Sequence, residues 1–219
     1  MSEQTEKLTG EILSGFEALI AAAPEDRQSD AAIERDNTAS RGWALRGVTG
    51  WPDRYREAVE TPPRGEEWLA AFEVAKEAVQ KNGIVVFYGK RGGGKTRMAA
   101  ELAVIAGMSR YRTAMRFFLT VRATFRKDSE RTELEVIDEL ATTPLLVLDE
   151  IQERGETGFE DRLLTHLIDA RYAANLPTIL IANLTRKELS ASLGDSIVSR
   201  AQENGKSIEF TWESYRKQP

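Results

Sequence analysis

The chain has 219 residues, with one histidine, no cysteine, 30 basic and 35 acidic side chains, and a formal charge of −5. The lack of cysteine excludes disulfides, thiolate zinc sites and cysteine nucleophiles, and His166 alone cannot build a histidine-rich metal site. Hydrophobic residues make up 41% of the chain, a fraction typical of globular proteins. There is no signal-peptide pattern and no apolar run long enough to span a bilayer, so we expect a cytoplasmic protein without membrane contact.

The acidic excess lies in the first part of the chain. Residues 1–41 hold nine acids and four bases, whereas the remaining residues hold 26 of each sign. Apolar residues recur there at helical spacing before Pro24, namely Ile12, Phe16, Leu19 and Ile20. We expect residues 1–41 to form a short acidic helix and a linker, or else a disordered tail, and residues 42–219 to form the second, larger domain.

Strand and helix patterns alternate from residue 65 onward. Apolar or β-branched runs predict strands at residues 84–88, 114–118, 145–148, 178–182 and 207–210, of which the second and the last are weaker. Helical patterns occupy residues 68–79, 97–105, 134–140 and 162–172. This alternation predicts an α/β fold in which a parallel sheet lies between layers of helices.

A glycine-rich loop follows the first of these strands. Its sequence, GKRGGGKT, fits the pattern G-x-x-x-x-G-K-[ST] and leads into a helix, as in P-loop nucleotide-binding proteins. Backbone N–H groups of such a loop surround a phosphate, the lysine reaches the β and γ phosphates, and the threonine hydroxyl binds Mg²⁺. The residues predicted to bind ATP are Gly89, Lys90, Arg91, Gly92, Gly93, Gly94, Lys95 and Thr96.

Two later strands end in polar residues at the edge where ligands of parallel sheets bind. Asp149 and Glu150 follow residues 145–148, and we expect Asp149 to hold Mg²⁺ through water while Glu150 polarises the attacking water. A base such as Glu150 that acts on water favours an ATP-hydrolysing protein over a metabolic P-loop kinase, which transfers the phosphate to a metabolite. Asn183 ends the next strand and is a candidate contact for the γ phosphate or the lytic water; alternatively, it only shapes the turn before the capping box of Thr185 and Glu188.

Several stretches resemble the DnaC/IstB-like branch of AAA+ ATPases, and within it the loaders of replicative DNA helicases. The resemblance covers about residues 45 to 216 and rests on WPDRYREA (51–58), GKRGGGKT (89–96), LLVLDEI (145–151), IVSR (197–200) and FTWESYR (210–216). It implies a P-loop AAA+ three-layer sandwich without a separate helical lid, and homo-oligomers formed on ATP binding. It also implies that Arg200 acts as an arginine finger on a neighbouring subunit; the alternative is a local ion pair with Asp195 or Glu203.

A basic stretch spans residues 109–131, with seven bases, two acids and interleaved aromatic residues. Phe117 and Phe118 fall in a predicted strand and are expected in the core. Arginines follow phosphates and exposed aromatic rings stack on bases, so this stretch is a candidate surface for single-stranded DNA, although a solvated basic face is the simpler alternative. The predicted DNA contacts are Arg122, Phe125, Arg126 and Lys127.

These observations favour an ATPase that uses ATP and Mg²⁺, binds single-stranded DNA and delivers a replicative hexameric helicase to it, with residues 1–41 as the helicase contact. The main alternative is an IstB-like transposition helper that binds duplex DNA and a transposase. A nucleotide-gated interaction module with little turnover is disfavoured by the complete set of Lys95, Thr96, Asp149 and Glu150. Lys90 and Arg91 are cations at loop positions where the resemblance leads us to expect small or apolar residues.

Overall fold

Six strands form one parallel sheet in the computed structural model, which describes residues 48–56, 65–155 and 157–215 of the chain. The strands are β1 (Val48–Thr49), β2 (Ile84–Gly89), β3 (Ser109–Thr113), β4 (Leu145–Asp149), β5 (Thr178–Ile181) and β6 (Gly205–Phe210). Their order across the sheet is β1-β3-β4-β5-β2-β6, and all neighbours are parallel. Because parallel neighbours need crossover connections, helices lie between successive strands along the chain.

Helices cover both faces of the sheet. They are α1 (Asp53–Arg56), α2 (Glu66–Gln80), α3 (Lys95–Ala106), α4 (Ala114–Ala123), α5 (Glu133–Ala141), α6 (Gly158–Ala173) and α7 (Arg186–Glu203), with a 3₁₀ turn at Ile151–Glu153. Successive residues of β2 alternate between two hydrophobic cores: Val86 packs with α4 to α7, whereas Val85 and Phe87 pack with α2 and α3. The predicted three-layer α/β sandwich is therefore confirmed.

One predicted strand is wrong. Residues 114–118 belong to α4, and the strand of that region is the more polar β3 that precedes it. The buried residues Ala114, Phe117, Phe118 and Val121 recur at helical spacing, and the Thr113 side chain caps the helix by accepting a hydrogen bond from the Arg116 N–H. Phe117 and Phe118 lie in the core as expected, but on a helix.

One other prediction concerns residues outside the described ranges. The N-terminal helix and linker assigned to residues 1–41 lie there. The boundary between residues 41 and 42 therefore stays a prediction. Within the described ranges, no helix has the combined length and apolar character that crossing a bilayer requires.

A buried arginine joins the elements at the amino edge of the sheet. Arg171 of α6 is fully buried and donates to the Thr178 hydroxyl and to backbone carbonyls around the starts of β4 and β5. These carbonyls belong to Leu140, Ala141, Thr143 and Pro177, at 2.6 to 3.3 Å. Burial lowers the pKa of Arg171 to about 10, so the side chain stays charged at neutral pH. It satisfies carbonyls at the end of α5 that the helix leaves without partners.

Candidate nucleotide site

The glycine loop joins β2 to α3 at the carboxyl edge of the sheet. β2 ends at Gly89 and α3 begins at Lys95, so strand, loop and helix follow in the order that the sequence predicts. Gly92 and Gly94 have positive φ angles of 93° and 87°, which residues with a side chain rarely adopt. The first N–H groups of α3 are not bonded within the helix, and they give the loop a positive potential suited to a phosphate.

Lys95 lies buried within this loop, with 4% of its surface exposed. Its ammonium donates to the carbonyl oxygens of Gly89, at 2.8 Å, and Lys90, at 2.7 Å. The same ammonium lies 5.9 Å from the centre of the Phe210 ring. These contacts hold a positive charge at the place where a P-loop neutralises phosphate charge.

Asp149 is buried at the end of β4 and accepts three hydrogen bonds. The hydroxyls of Thr96 and Tyr111 donate to Oδ2 at 2.8 and 3.0 Å, and the Glu150 backbone N–H donates to Oδ1 at 2.7 Å. Burial raises the pKa of Asp149, and the hydrogen bonds and the nearby Lys95 ammonium oppose that shift. Burial also raises the pKa of Tyr111, and the neighbouring Asp149 adds to this effect. Both carboxylate oxygens are thus fixed beside the glycine loop.

The oxygen donors beside the loop suit Mg²⁺ that arrives with a nucleotide. In the described part of the chain, no group of three or more histidine, cysteine, aspartate or glutamate side chains could hold a metal ion. Mg²⁺ usually binds through one or two protein oxygens, with phosphate oxygens and water completing the shell. Thr96 and Asp149 offer a hydroxyl and a carboxylate 2.8 Å apart, so the two residues predicted to bind Mg²⁺ are adjacent.

Glu150 is exposed at the mouth of this site in an unusual backbone conformation. Its φ of 56° and ψ of 44° are left-handed, a region that non-glycine residues seldom occupy and that recurs at functional sites. The turn places Glu150 immediately beyond the buried Asp149 and starts the 3₁₀ segment Ile151–Glu153. Its predicted role in polarising water is compatible with this exposed position and stays a prediction.

Asn183 follows β5, which lies between β4 and β2 in the sheet. Its backbone N–H donates to the side-chain oxygen of Gln152 at 2.9 Å, which ties the strand end to the turn after the acid pair. The capping box of Thr185 and Glu188 is present two residues later. The topology brings Asn183 to the same edge as Glu150, and its contact with phosphate or water stays a prediction.

A short segment after β6, residues 211–215, crosses the glycine loop, and we call it the C-terminal strap. The Trp212 indole N–H donates to the Gly93 carbonyl at 2.9 Å, and the Tyr215 backbone N–H donates to the Gly92 carbonyl at 3.0 Å. A Cβ atom at Gly92 would lie 2.0 Å from the Ser214 hydroxyl oxygen. The contact between this segment and the glycine loop is not predicted from the sequence, because nothing local in residues 211–215 indicates contact with a loop more than a hundred residues earlier.

The two unusual cations of the loop, Lys90 and Arg91, are both exposed. The Arg91 guanidinium donates to the Glu153 carboxylate at 3.2 Å. This pair bridges the glycine loop and the 3₁₀ turn that follows the acid pair. Exposed ion pairs of this kind add little stability.

Arg200 is remote from the glycine loop of its own chain. Helix α7, which is kinked at Gly194 (φ 75°, ψ 160°), leads from the carboxyl edge, after β5, towards the amino edge, where β6 begins, and Arg200 lies in its last turn. Its guanidinium pairs with Asp169 at 3.1 Å and lies 5.6 Å from the Tyr172 ring centre. Arg200 thus pairs with an acid of its own chain, but this acid is Asp169 of α6 rather than Asp195 or Glu203, the partners considered from the sequence.

The predicted DNA contacts lie on α4 and just after it. Phe125 is 59% exposed and touches Phe159, with ring centres 5.8 Å apart. Arg126 and Lys127 are exposed beside it. Arg122 pairs with the buried Glu160 at 2.8 Å, a contact between distant elements that the charge pattern does not reveal. These four residues stay predictions.

Comparisons with known proteins agree with this architecture. A sequence profile of IstB-like ATP-binding proteins matches residues 54–219. The replicative helicase loader DnaC of Escherichia coli K12 is 29% identical over 214 residues, covering 93% of this chain and 87% of the loader. DnaC of Buchnera aphidicola (subspecies Baizongia pistaciae) is 26% identical over 213 residues, covering 92% and 87%. A crystal structure of the DnaC helicase loader superposes with a TM-score of 0.60 at 19% identity, covering 72% of this chain and 99% of that one.

The C-terminal strap supports the loop, so loosening it should weaken nucleotide binding. In Trp212→Phe the indole N–H is lost while an aromatic ring is kept. Since one hydrogen bond contributes about 1 kcal/mol, we expect the dissociation constant of a fluorescent ATP analogue to rise roughly five-fold. The melting temperature without nucleotide should change little. An unchanged dissociation constant would show that the strap does not influence the loop.

Proposed function

Because the chain belongs to the family of IstB-like ATP-binding proteins, we propose that it is an AAA+ ATPase that binds single-stranded DNA and loads a replicative helicase. One observation carries the enzymatic part of this proposal. Thr96 and Asp149 are hydrogen-bonded beside the buried Lys95 at the carboxyl edge of a parallel sheet, which is where ligands of such sheets bind. The AAA+ fold and the family match provide the context in which that arrangement serves ATP.

Hydrolysis follows from the roles of these side chains. The glycine loop binds the phosphates through backbone N–H groups, and Lys95 neutralises charge on the β and γ phosphates. Thr96 and Asp149 would hold Mg²⁺, which supplies charge stabilisation to the phosphates when bound. Glu150 accepts a proton from the attacking water, and Asn183 orients that water or the γ phosphate. Each role uses a residue at the same edge of the sheet.

Arg200 acts on a neighbouring subunit in this proposal. Its position in the last turn of α7, close to the start of β6, supports this role because the nucleotide site lies at the opposite edge. The pair with Asp169 is partly exposed, with 27% and 38% of the two side chains accessible. A partly exposed ion pair is weak enough to exchange Asp169 for a phosphate. ATP would then join two subunits, which supports nucleotide-dependent homo-oligomers.

The DNA surface comprises Phe125, Arg126 and Lys127. An exposed phenylalanine beside two exposed cations can stack on a base while the cations contact phosphates. Arg122 contributes mainly by holding the end of α4 against α6 through Glu160. Single strands are favoured over duplex because stacking on Phe125 requires an unpaired base.

The partner proposed for this ATPase is a hexameric replicative helicase. Two curated relatives named as replicative helicase loaders match more than nine tenths of this chain. The acidic residues 1–41, for which the sequence predicts an apolar helix face, are the proposed contact. The second candidate is a transposition helper that binds duplex DNA and a transposase, which the family match alone equally permits.

Mixing two inactive variants tests the shared site. Glu150→Gln and Arg200→Ala should each lose most ATPase activity, by about 10² to 10⁴-fold and 10³ to 10⁵-fold. In an equal mixture, about a quarter of the interfaces pair an intact Glu150 with an intact Arg200, so about a quarter of the wild-type rate should return. As a control, Glu150→Gln mixed with the double variant should stay inactive. No recovery in the first mixture would contradict catalysis across subunits.

Charge reversal tests the DNA surface. Arg126→Glu with Lys127→Glu should weaken binding of a fluorescent oligothymidine, and should flatten the slope of log affinity against log salt by about 1.4 for two lost phosphate contacts. As a control, Lys81→Glu with Lys206→Glu makes the same charge change near β2 and β6, at the opposite end of the strand order from β3. If both pairs of substitutions weaken DNA binding equally, the effect comes from the net charge of the protein and not from a surface at Arg126 and Lys127. Duplex preference in the wild type would favour the transposition helper.

Substitutions on the predicted apolar face test the helicase contact. Phe16→Asp with Ile20→Asp should abolish retention of the purified hexameric helicase, from the cell in which the protein acts, on the immobilised full-length chain. Burial of two such side chains contributes about 3 to 6 kcal/mol. Gln28→Asp with Ser29→Asp adds the same charge to the polar stretch and should leave retention unchanged. Retention of the helicase by the first variant would rule out this face.

A further inference from the structure

Tyr111 contacts the site without having been assigned a role in the chemistry. It lies in β3, the direct neighbour of β4, and only 7% of its surface is exposed. Its hydroxyl donates to Asp149 Oδ2 at 3.0 Å. The oxygen is the same one that accepts from Thr96, so three side chains meet at one atom of the proposed metal site.

The Tyr111 ring is held rigidly from behind. The ring of Trp51, which is 2% exposed, packs on it with centres 4.6 Å apart and planes 35° from parallel. Tyr55 of α1 also contacts Trp51, with the two rings edge-on and their centres 6.3 Å apart. Aromatic contacts of this type fix a ring in place. The segment before the glycine loop therefore determines where the Tyr111 hydroxyl points.

Two donors on one carboxylate oxygen have different consequences for metal binding. A threonine hydroxyl in a P-loop offers an oxygen lone pair to Mg²⁺ and keeps its proton, so Thr96 would be a metal ligand as well as a donor to the carboxylate. The Tyr111 hydroxyl is not part of the glycine loop and keeps its bond to Asp149. It can thus hold the carboxylate in one orientation before and after the metal arrives, as partners of metal ligands commonly do.

We infer that Tyr111 is a positioning residue of the Mg²⁺ site: its ring packs against Trp51, and its hydroxyl fixes the orientation of the Asp149 carboxylate. This inference rests on the proposed function, because it requires that ATP binds with Mg²⁺ at Thr96 and Asp149. It adds a residue outside the glycine loop and the acid pair. It also assigns the buried Trp51 a role, which is to hold the Tyr111 ring in place.

Tyr111→Phe is the direct test, because it removes one oxygen and keeps the ring. Mg²⁺ is titrated into the full-length protein with a fluorescent, non-hydrolysable ATP analogue, and the midpoint of the binding signal is measured. Loss of a hydrogen-bonding partner of a metal ligand costs about ten-fold or more in metal affinity, so the midpoint should rise about ten-fold. The affinity for the analogue in EDTA should stay within about two-fold of wild type.

Tyr88→Phe is the matched control. Tyr88 is also buried, and its hydroxyl donates to a carboxylate, that of Glu209, at 3.3 Å. Tyr88 lies in β2, and its hydroxyl contacts Glu209 of the neighbouring strand β6 rather than Asp149, so its removal should leave the Mg²⁺ midpoint unchanged. An unchanged midpoint in Tyr111→Phe, or an equal loss of affinity with Mg²⁺ and in EDTA, would overturn the inference.

A second variant covers the case in which Tyr111→Phe does not fold. Trp51→Phe leaves the Tyr111 hydroxyl in place but provides a smaller ring behind it, and should raise the midpoint about two- to three-fold. No rise in Trp51→Phe would then overturn the inference. If the wild-type protein binds the analogue no better with Mg²⁺ than in EDTA, the proposed function fails before Tyr111 is tested.

Discussion

The hydrogen bond from the Thr96 hydroxyl to Asp149 Oδ2 is the contact on which the organisation of the site depends. It joins the first turn of α3 to the end of β4, although β5 lies between β2 and β4 in the sheet. Because Asp149 is buried, water does not compete for this hydrogen bond, which is therefore stronger than it would be at the surface. The glycine loop, the acid pair and the Gln152 contact to Asn183 lie at the ends of strands whose pairing sets their register, and this bond joins two of those ends directly.

Local patterns carried most of what the sequence could predict. The glycine loop, the acid pair and the strands that precede them are continuous stretches, so spacing and composition were sufficient for them. The strand placed at residues 114–118 failed because β3 is short and polar and α4 starts immediately after it, so the bulky apolar residues belong to the helix. Tyr111 was missed for the same reason, although an aromatic residue with a donor, beside a strand that ends in acids, is a usable signal.

Apart from those at the shared edge of the sheet, side-chain contacts between distant elements could not be predicted. In the basic stretch of residues 109–131, Arg110 and Arg131 both pair with Glu139 of α5, and Arg122 pairs with Glu160 of α6. Acids that lie later in the sequence therefore neutralise part of the positive charge that is counted for this stretch from its sequence. The exposed cations that remain beside Phe125 are Arg126 and Lys127, and Arg126 lies 3.5 Å from Asp128. Charge counted along a chain overstates charge presented on a surface.

The run of three glycines in the loop has a consequence for how such loops are compared or transplanted. In the P-loop pattern only the third glycine, Gly94, occupies a specified position, yet a Cβ at Gly92 would collide with Ser214. Glycine at this unspecified position is thus required both by its positive φ angle and by the C-terminal strap, not by the P-loop pattern. Residues 92 and 214 therefore have to be compared or exchanged together. A loop taken from a protein without the strap brings a residue at position 92 that is not matched to Ser214. A bulky residue at either position requires a change at the other.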